Sequence, residues 1–166
     1  MKIGSKVPIS LEIAPPETTN WIDRIVSTGV NGFSINIEVW NEEKRREICP
    51  GKSQIDRELY FTAWKRGVDL LGKFTVSSVL IVGLDSPESI KEAIVTMVGM
   101  GVKPTLIPFK PFSGSKLENH PLPHPQELLE LSQFAGQQLS QNAAQYQQFV
   151  GCEHCGGCTL ENHYLY

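Results

Sequence analysis

The run Val76-Ser77-Ser78-Val79-Leu80-Ile81-Val82-Gly83-Leu84, followed by Asp85-Ser86-Pro87-Glu88, decides the fold class. Its nearly continuous apolar character is that of a parallel strand covered on both faces. Ser86 then reads as a helix cap, Pro87 as the first helical position and Glu88 as an acid in the first turn. Ile90, Ile94, Met97 and Val98 recur at helical spacing, and Gly99 and Gly101 end the helix. The stretch is a strand followed by an amphipathic helix.

The same unit repeats outward. Downstream, Pro104 to Phe109 is a strand, followed by an ordered loop through Pro108, Pro111 and Gly114 and a proline-rich linker from His120 to Pro125. Leu128, Leu131, Ala135 and Leu139 mark a last helix. Upstream, Gly32 to Trp40 alternates as a strand does. Phe33, Ile35, Ile37 and Val39 face one way, and Ser34, Asn36, Glu38 and Trp40 the other. Val7 to Ile13 is a short strand stopped by Pro15-Pro16, and Thr18 to Ser27 is a helix. Ile55, Leu59, Ala63, Trp64, Val68 and Leu71 form another helical stripe, with Ser53 and Asp56 resembling a helix-start box. Glu42 to Glu47 reads as a solvated helical turn and Cys49-Pro50-Gly51-Lys52 as a loop. Trp21, Trp40 and Trp64 are expected as core anchors, Cys49 as a buried small residue, and His120 and His124 as exposed.

The predicted order is β-α-β-α-β-α-β-α-tail. Strands separated by helices imply parallel pairing with right-handed crossovers. The expected fold is therefore α/β, with four parallel strands and outer helices. Four such units make half of an eight-stranded barrel, and a small open sheet is the alternative. Residues 1–145 are expected to form this domain and 146–166 a cysteine-rich tail.

Composition narrows the function classes. The 166 residues fit one domain, and a net charge of −3 gives no electrostatic case for nucleic acid or an anionic membrane. No apolar run approaches the roughly 18–20 residues that span a bilayer. The N-terminal segment lacks the apolar core of a signal peptide, so a cytoplasmic protein is expected. There is no G-x-G-x-x-G, GK[ST] or G-x-S-x-G, which removes the usual nucleotide loop and nucleophile elbow.

The tail Gly151-Cys152-Glu153-His154-Cys155-Gly156-Gly157-Cys158-Thr159 holds three of the four cysteines in C-x2-C-x2-C spacing. Disulfides within it would close trivially short loops. Thiolates at Cys152, Cys155 and Cys158 suit iron–sulfur and zinc alike. A 4Fe–4S cluster would be left one ligand short, since the position where a ferredoxin run has its fourth cysteine is Asn162. His154 or His163 would complete a Cys3His zinc site. Free thiols are the plain reading.

Four segments, in order, resemble the radical S-adenosylmethionine (radical SAM) enzymes. VSSVLIVGLDS resembles the family's G-x-I-x-G-x-x-E strand, departing at Leu80 and Asp85. GFSINIEVW resembles the preceding barrel strand, and TLIPFKPFSGSKLE the following strand with its P-x-x-P-x-x-G-T/S-x-L loop. GCEHCGGCT resembles the GCxxCGxCS tail of a biotin-synthase-like branch, which the ICPGK segment also fits. The resemblance implies cofactor contacts at Asn36, Glu38, Gly83, Asp85 and Pro108, with Asp85 shaping its loop, and an auxiliary 4Fe–4S cluster on Cys152, Cys155 and Cys158. Lys110 and Ser113 sit at the end of the fourth strand, where Lys110 could meet an anionic substrate. The plainer readings are a solvated sheet face for Asn36 and Glu38, a strand-to-helix turn for Gly83 and Asp85, and a surface charge for Lys110.

The family's C-x3-C-x2-C loop and Gly-Gly-Glu motif have no counterpart in the sequence. The resemblance therefore implies the C-terminal part of such an enzyme, inactive alone, with S-adenosylmethionine and a small-molecule substrate. An N-terminal barrel half on another chain, or self-association, would cover the two sheet edges and the inner face. No residue identifies a catalytic group or selects among sulfur insertion, carbon–carbon rearrangement and dehydrogenation. A non-catalytic zinc- or iron–sulfur-binding protein derived from such a domain is the alternative.

Overall fold

The structure, a computed structural model, describes residues 7–142, 151, 155 and 157–165. Its sheet has four parallel strands in sequential order: β1 (Ser10–Glu12), β2 (Gly32–Ser34), β3 (Val76–Val82) and β4 (Lys103–Pro108). Between and after them run helices α1 (Asn20–Val26), α2 (Glu42–Ile48), α3 (Arg57–Leu71), α4 (Pro87–Gly99) and α5 (Pro125–Asn142). Sequential strand order is what successive right-handed βα units give when a sheet curls toward a barrel.

Parity along the strands sets the two faces. Val76, Leu80, Val82 and Leu106 are buried in one core with Trp64, Ile90, Ile94, Met97 and Leu131 from the helices. On β3 and β4 the opposite parity pairs Ser77 with Lys103, Val79 with Thr105 and Ile81 with Ile107. These residues, with Ser10, Glu12, Ser34 and Asn36, form the inner face. Ser86 caps α4 as expected, its hydroxyl accepting from the Ser89 N–H at 3.2 Å.

Several local expectations are corrected. Trp21 is 53% exposed, with Arg24 over its ring, because it falls on the outer side of the short α1; Trp40 and Trp64 are buried. The charge run is the helix α2, which buries Arg45 against the Tyr60 ring. Asp56, not Ser53, caps α3, accepting from the Glu58 N–H at 3.0 Å. Ser53 instead donates to the Pro50 carbonyl. His120 is half-buried, because its ring meets the Gly83 carbonyl at 2.9 Å and stands edge-on to Phe109.

The inner face is not left open throughout. The described part of the tail arches over it near the N-terminal ends of the strands. At the β1 edge, Gly151 packs so closely that an added Cβ would lie 2.9 Å from the Ser10 Cβ. On the β4 side a 3-10 turn, Glu161–Tyr164, packs on α5, where a Cβ on Gly136 would be 2.5 Å from that of Tyr164. Lys103 and Glu161 form an ion pair of 3.4 Å, both side chains fully buried.

Candidate functional site

A β-bulge at residues 36–38 shapes the inner face. Register runs from Ser34 opposite Ser77 to Glu38 opposite Leu80, so β2 spends four steps where β3 spends three. The extra residue breaks the ladder, and side chains repair it. The Val79 N–H donates to Asn36 Oδ1 at 3.0 Å, and the Ile37 N–H to Ser78 Oγ at 3.0 Å. Trp64 Nε1 donates to the Ile35 carbonyl at 2.9 Å, and Lys52 Nζ to the Asn36 carbonyl at 3.2 Å. Glu38 closes the bulge with a left-handed φ of 65°, a conformation that costs a non-glycine residue on the order of 1 kcal/mol.

The bulge presents a polar group at the mouth of the sheet. Asn36 Nδ2 donates to Glu12 Oε1 at 2.9 Å, and Ser34 Oγ donates to Asn36 Oδ1 at 2.8 Å. The Glu38 carboxylate pairs with Lys52 at 2.6 Å. A cleft of about 690 Å³ opens here at the C-terminal strand ends. Glu12, Asn36 and Glu38 form its polar end. Val79, Ile81, Ile107 and Pro108 form its floor, and Phe109, Phe112, Lys110 and Lys116 its far wall. Phe112 is 72% exposed on a loop held by the Gly114 N–H bond to Glu118.

The structure thus brings Asn36, Glu38 and Pro108 into one cleft, with Lys110 on its rim. Gly83 and Asp85 lie elsewhere. Gly83, at φ +98°, is roofed by Pro123, against which an added Cβ would fall 3.1 Å away. Asp85 Oδ2 accepts from the N–H groups of Trp40 (2.5 Å) and Asn41 (3.0 Å), tying β3 to the segment after the bulge. Ser113 is exposed outside the cleft. Glu12 was missed by the sequence reading. Its signal was present in the alternation of Ser10, Leu11 and Glu12, which sets Glu12 beside Ser34.

A second cavity, of about 660 Å³, lies on the same face beneath the tail. Cys155 and Cys158 line it opposite Glu12, Asn36 and Thr105. Both cysteines are exposed free thiols, and Cys152 and His154 lie outside the described residues. Cys155 Sγ would be 3.3 Å from a Cβ on Gly157, so glycine there leaves the thiol room. His163 is exposed and lines no part of this cavity. Among the described residues no three His, Cys, Asp or Glu side chains gather tightly enough for a single metal ion.

Cys49 is half-buried beside the cleft. Burial, then the Glu38 charge, pushes its thiol above the ordinary value, while Lys52 and Arg45 oppose the shift. The thiolate is the reacting form. Alkylation with iodoacetamide is therefore expected to label Cys155 and Cys158 before Cys49 at pH 8. The Cys49 rate should rise only at higher pH, and Glu38→Gln should move that rise to lower pH. An unchanged Cys49 profile in Glu38→Gln would remove Glu38 from its surroundings.

No protein-family model matches the sequence. Coproporphyrinogen III oxidase from Escherichia coli, described as a radical SAM enzyme, superposes with a TM-score of 0.64 at 21% identity. The match covers 84% of this chain and 33% of that one. The chain shares the fold of that enzyme over the matched region. A bacteriochlorophyllide c C-7(1)-hydroxylase from Chlorobaculum limnaeum is 24% identical over 134 residues, 80% of this chain. The chain spans about a third of the length of each of these relatives. The cleft lies where barrel enzymes carry their sites, at the C-terminal strand ends. Among the described residues no helix is long and apolar enough to cross a membrane.

Proposed function

We propose that this chain is a C-terminal portion of a radical SAM barrel. In this reading it supplies one wall of an S-adenosylmethionine and substrate pocket and carries an auxiliary iron–sulfur cluster. The observation that carries it is the shared inner face. Asn36, Glu38 and Pro108 line one cleft there, and Cys155 and Cys158 line the adjoining cavity, with Glu12 and Asn36 common to both.

Each residue then has a defined task. Asn36 holds the bulge and the Glu12 carboxylate, so the polar end of the cleft is fixed before a ligand arrives. Glu38 and Lys52 offer a paired acceptor and donor for the hydroxyl and amino-acid groups of S-adenosylmethionine. Ile81, Ile107 and Pro108 form an apolar floor. Cys155 and Cys158, with Cys152, would hold the cluster, which when bound supplies an iron site or an electron relay. The cluster that cleaves S-adenosylmethionine would come from the C-x3-C-x2-C loop of further barrel strands, on the same polypeptide or another. The tail spacing and the ICPGK segment support assignment to a biotin-synthase-like branch. A reducing, cytoplasmic setting suits such thiols.

The test is chemical. Purified without oxygen and reconstituted with iron and sulfide, the chain is expected to carry about four irons and four sulfides. Cys155→Ala with Cys158→Ala should abolish this. One zinc per chain, retained without iron, would overturn the cluster and favour a non-catalytic zinc-binding protein. Equilibrium dialysis with S-adenosylmethionine tests the pocket separately, and binding unaffected by Glu38→Ala would overturn that part.

A further inference from the structure

Away from the inner face, α2, the 3-10 turn Lys52–Gln54 and the start of α3 enclose a separate pocket of about 310 Å³. Arg45, Arg46 and Arg57 line it, together with Ser53 and Gln54. The state of these guanidiniums is unusual. Arg45 is only 3% exposed, yet its Nε and Nη1 are buried without a hydrogen-bond partner among the described residues. Arg57 Nε is likewise buried without one. A buried guanidinium keeps its charge at any ordinary pH and loses much when its donors go unmade.

The nearby acids do not answer this need. Glu42 reaches Arg46 at 3.4 Å and Arg57 at 3.6 Å, both long contacts, and is half exposed. Asp56 is spent on capping α3. Glu42 and Asp56 both line the pocket, so three arginines face two carboxylates and one positive charge is left over. Its geometry is also held in place. Arg57 lies over the Trp40 ring at 4.6 Å and donates from Nη2 to the Trp40 carbonyl, while Arg45 lies over Tyr60 at 5.9 Å. Planar guanidiniums fixed on aromatic faces are suited to paired contacts with an oxyanion.

We infer that this pocket binds a small oxyanion, a phosphate or carboxylate group, between Arg45 and Arg57, with Gln54 as a further donor. The site is independent of the proposed cofactor cleft. The two share α2, which gives Ile48 to the cleft and Arg45 to this pocket.

The experiment is thermal unfolding of the full chain at constant ionic strength, in chloride against inorganic phosphate and against acetate. A rise in Tm of about 5–10 °C is expected when the favoured anion reaches a hundred times its Kd. Arg45→Met keeps the packing on Tyr60 and removes the buried charge. It should unfold no earlier than the wild type in chloride, and its anion-dependent rise should vanish. Phosphate acting without acetate would identify a phosphoryl group, and the reverse a carboxylate; either supports the site. Equal shifts for wild type and Arg45→Met, or no shift with either anion, would overturn it. A large loss of stability in Arg45→Met in chloride would also overturn it, since Arg45 would then be serving the fold alone.

Discussion

Replacing Glu161 with alanine is expected to cost about 3–5 kcal/mol, the range for removing one partner of a buried ion pair. Lys103 and Glu161 are both fully buried at 3.4 Å. Truncating the acid removes a fully buried negative charge that faces the Lys103 ammonium at the base of the inner face. For a chain of this size the loss corresponds to a fall in Tm of about 6–20 °C. The chain has a cheaper escape, which is to let the 3-10 turn leave α5 and admit water to Lys103. Amide exchange separates the two outcomes. If the tail undocks, Glu161–Tyr164 loses protection while β3 keeps it. If the whole domain is weakened, both lose protection. Adding Lys103→Met to Glu161→Ala should recover most of the loss, because an apolar side chain has no charge to strand. A Tm within about 2 °C of wild type, with Glu161–Tyr164 still protected, would mean that the pair does not anchor the tail.

That anchor bears on the proposed cluster. The tail touches the β1 edge through Gly151 and the β4 side through Glu161 and Tyr164, and Cys155 and Cys158 lie between these points. Undocking one end would free the thiols from the cavity. Iron loading should therefore fall in Glu161→Ala even though no ligand is altered.

Strand order and helix placement were legible because each rests on a local signal. The apolar run at Val76–Val82 and the Ser86-Pro87-Glu88 start are complete within a dozen residues, and the structure places β3 and α4 there. The bulge was not legible for the opposite reason. Asn36, Ser78, Trp64 and Lys52 replace missing ladder bonds from four separate parts of the chain. Alternation in GFSINIEVW looks the same with or without the extra residue. His120 and Arg45 were misjudged likewise: composition puts a histidine among prolines and an arginine in a charge run at the surface. Their burial comes from contacts with Gly83 and Tyr60 that pattern cannot reveal. The cleft residues Asn36, Glu38 and Pro108 were named from resemblance. Their common cleft, and Glu12 within it, needed the fold.

The bulge makes the second large effect. Asn36→Ala is expected to cost about 2–3 kcal/mol, since it strands the half-buried Val79 N–H and drops the bonds to Ser34 and Glu12. Thermal unfolding should register a fall in Tm of about 4–12 °C. Asn36→Asp sharpens the reading. Its carboxylate still accepts from Val79, so the ladder repair survives, but it faces Glu12 where a donor stood. The like charges repel above the carboxylate range and not below it. Stability of Asn36→Asp should therefore recover toward wild type in acid, while Asn36→Ala stays low at every pH. Were the two variants equally impaired at pH 3 and pH 7, the amide of Val79 would not depend on Asn36. The cleft would then owe its polar end to Glu12 and Glu38.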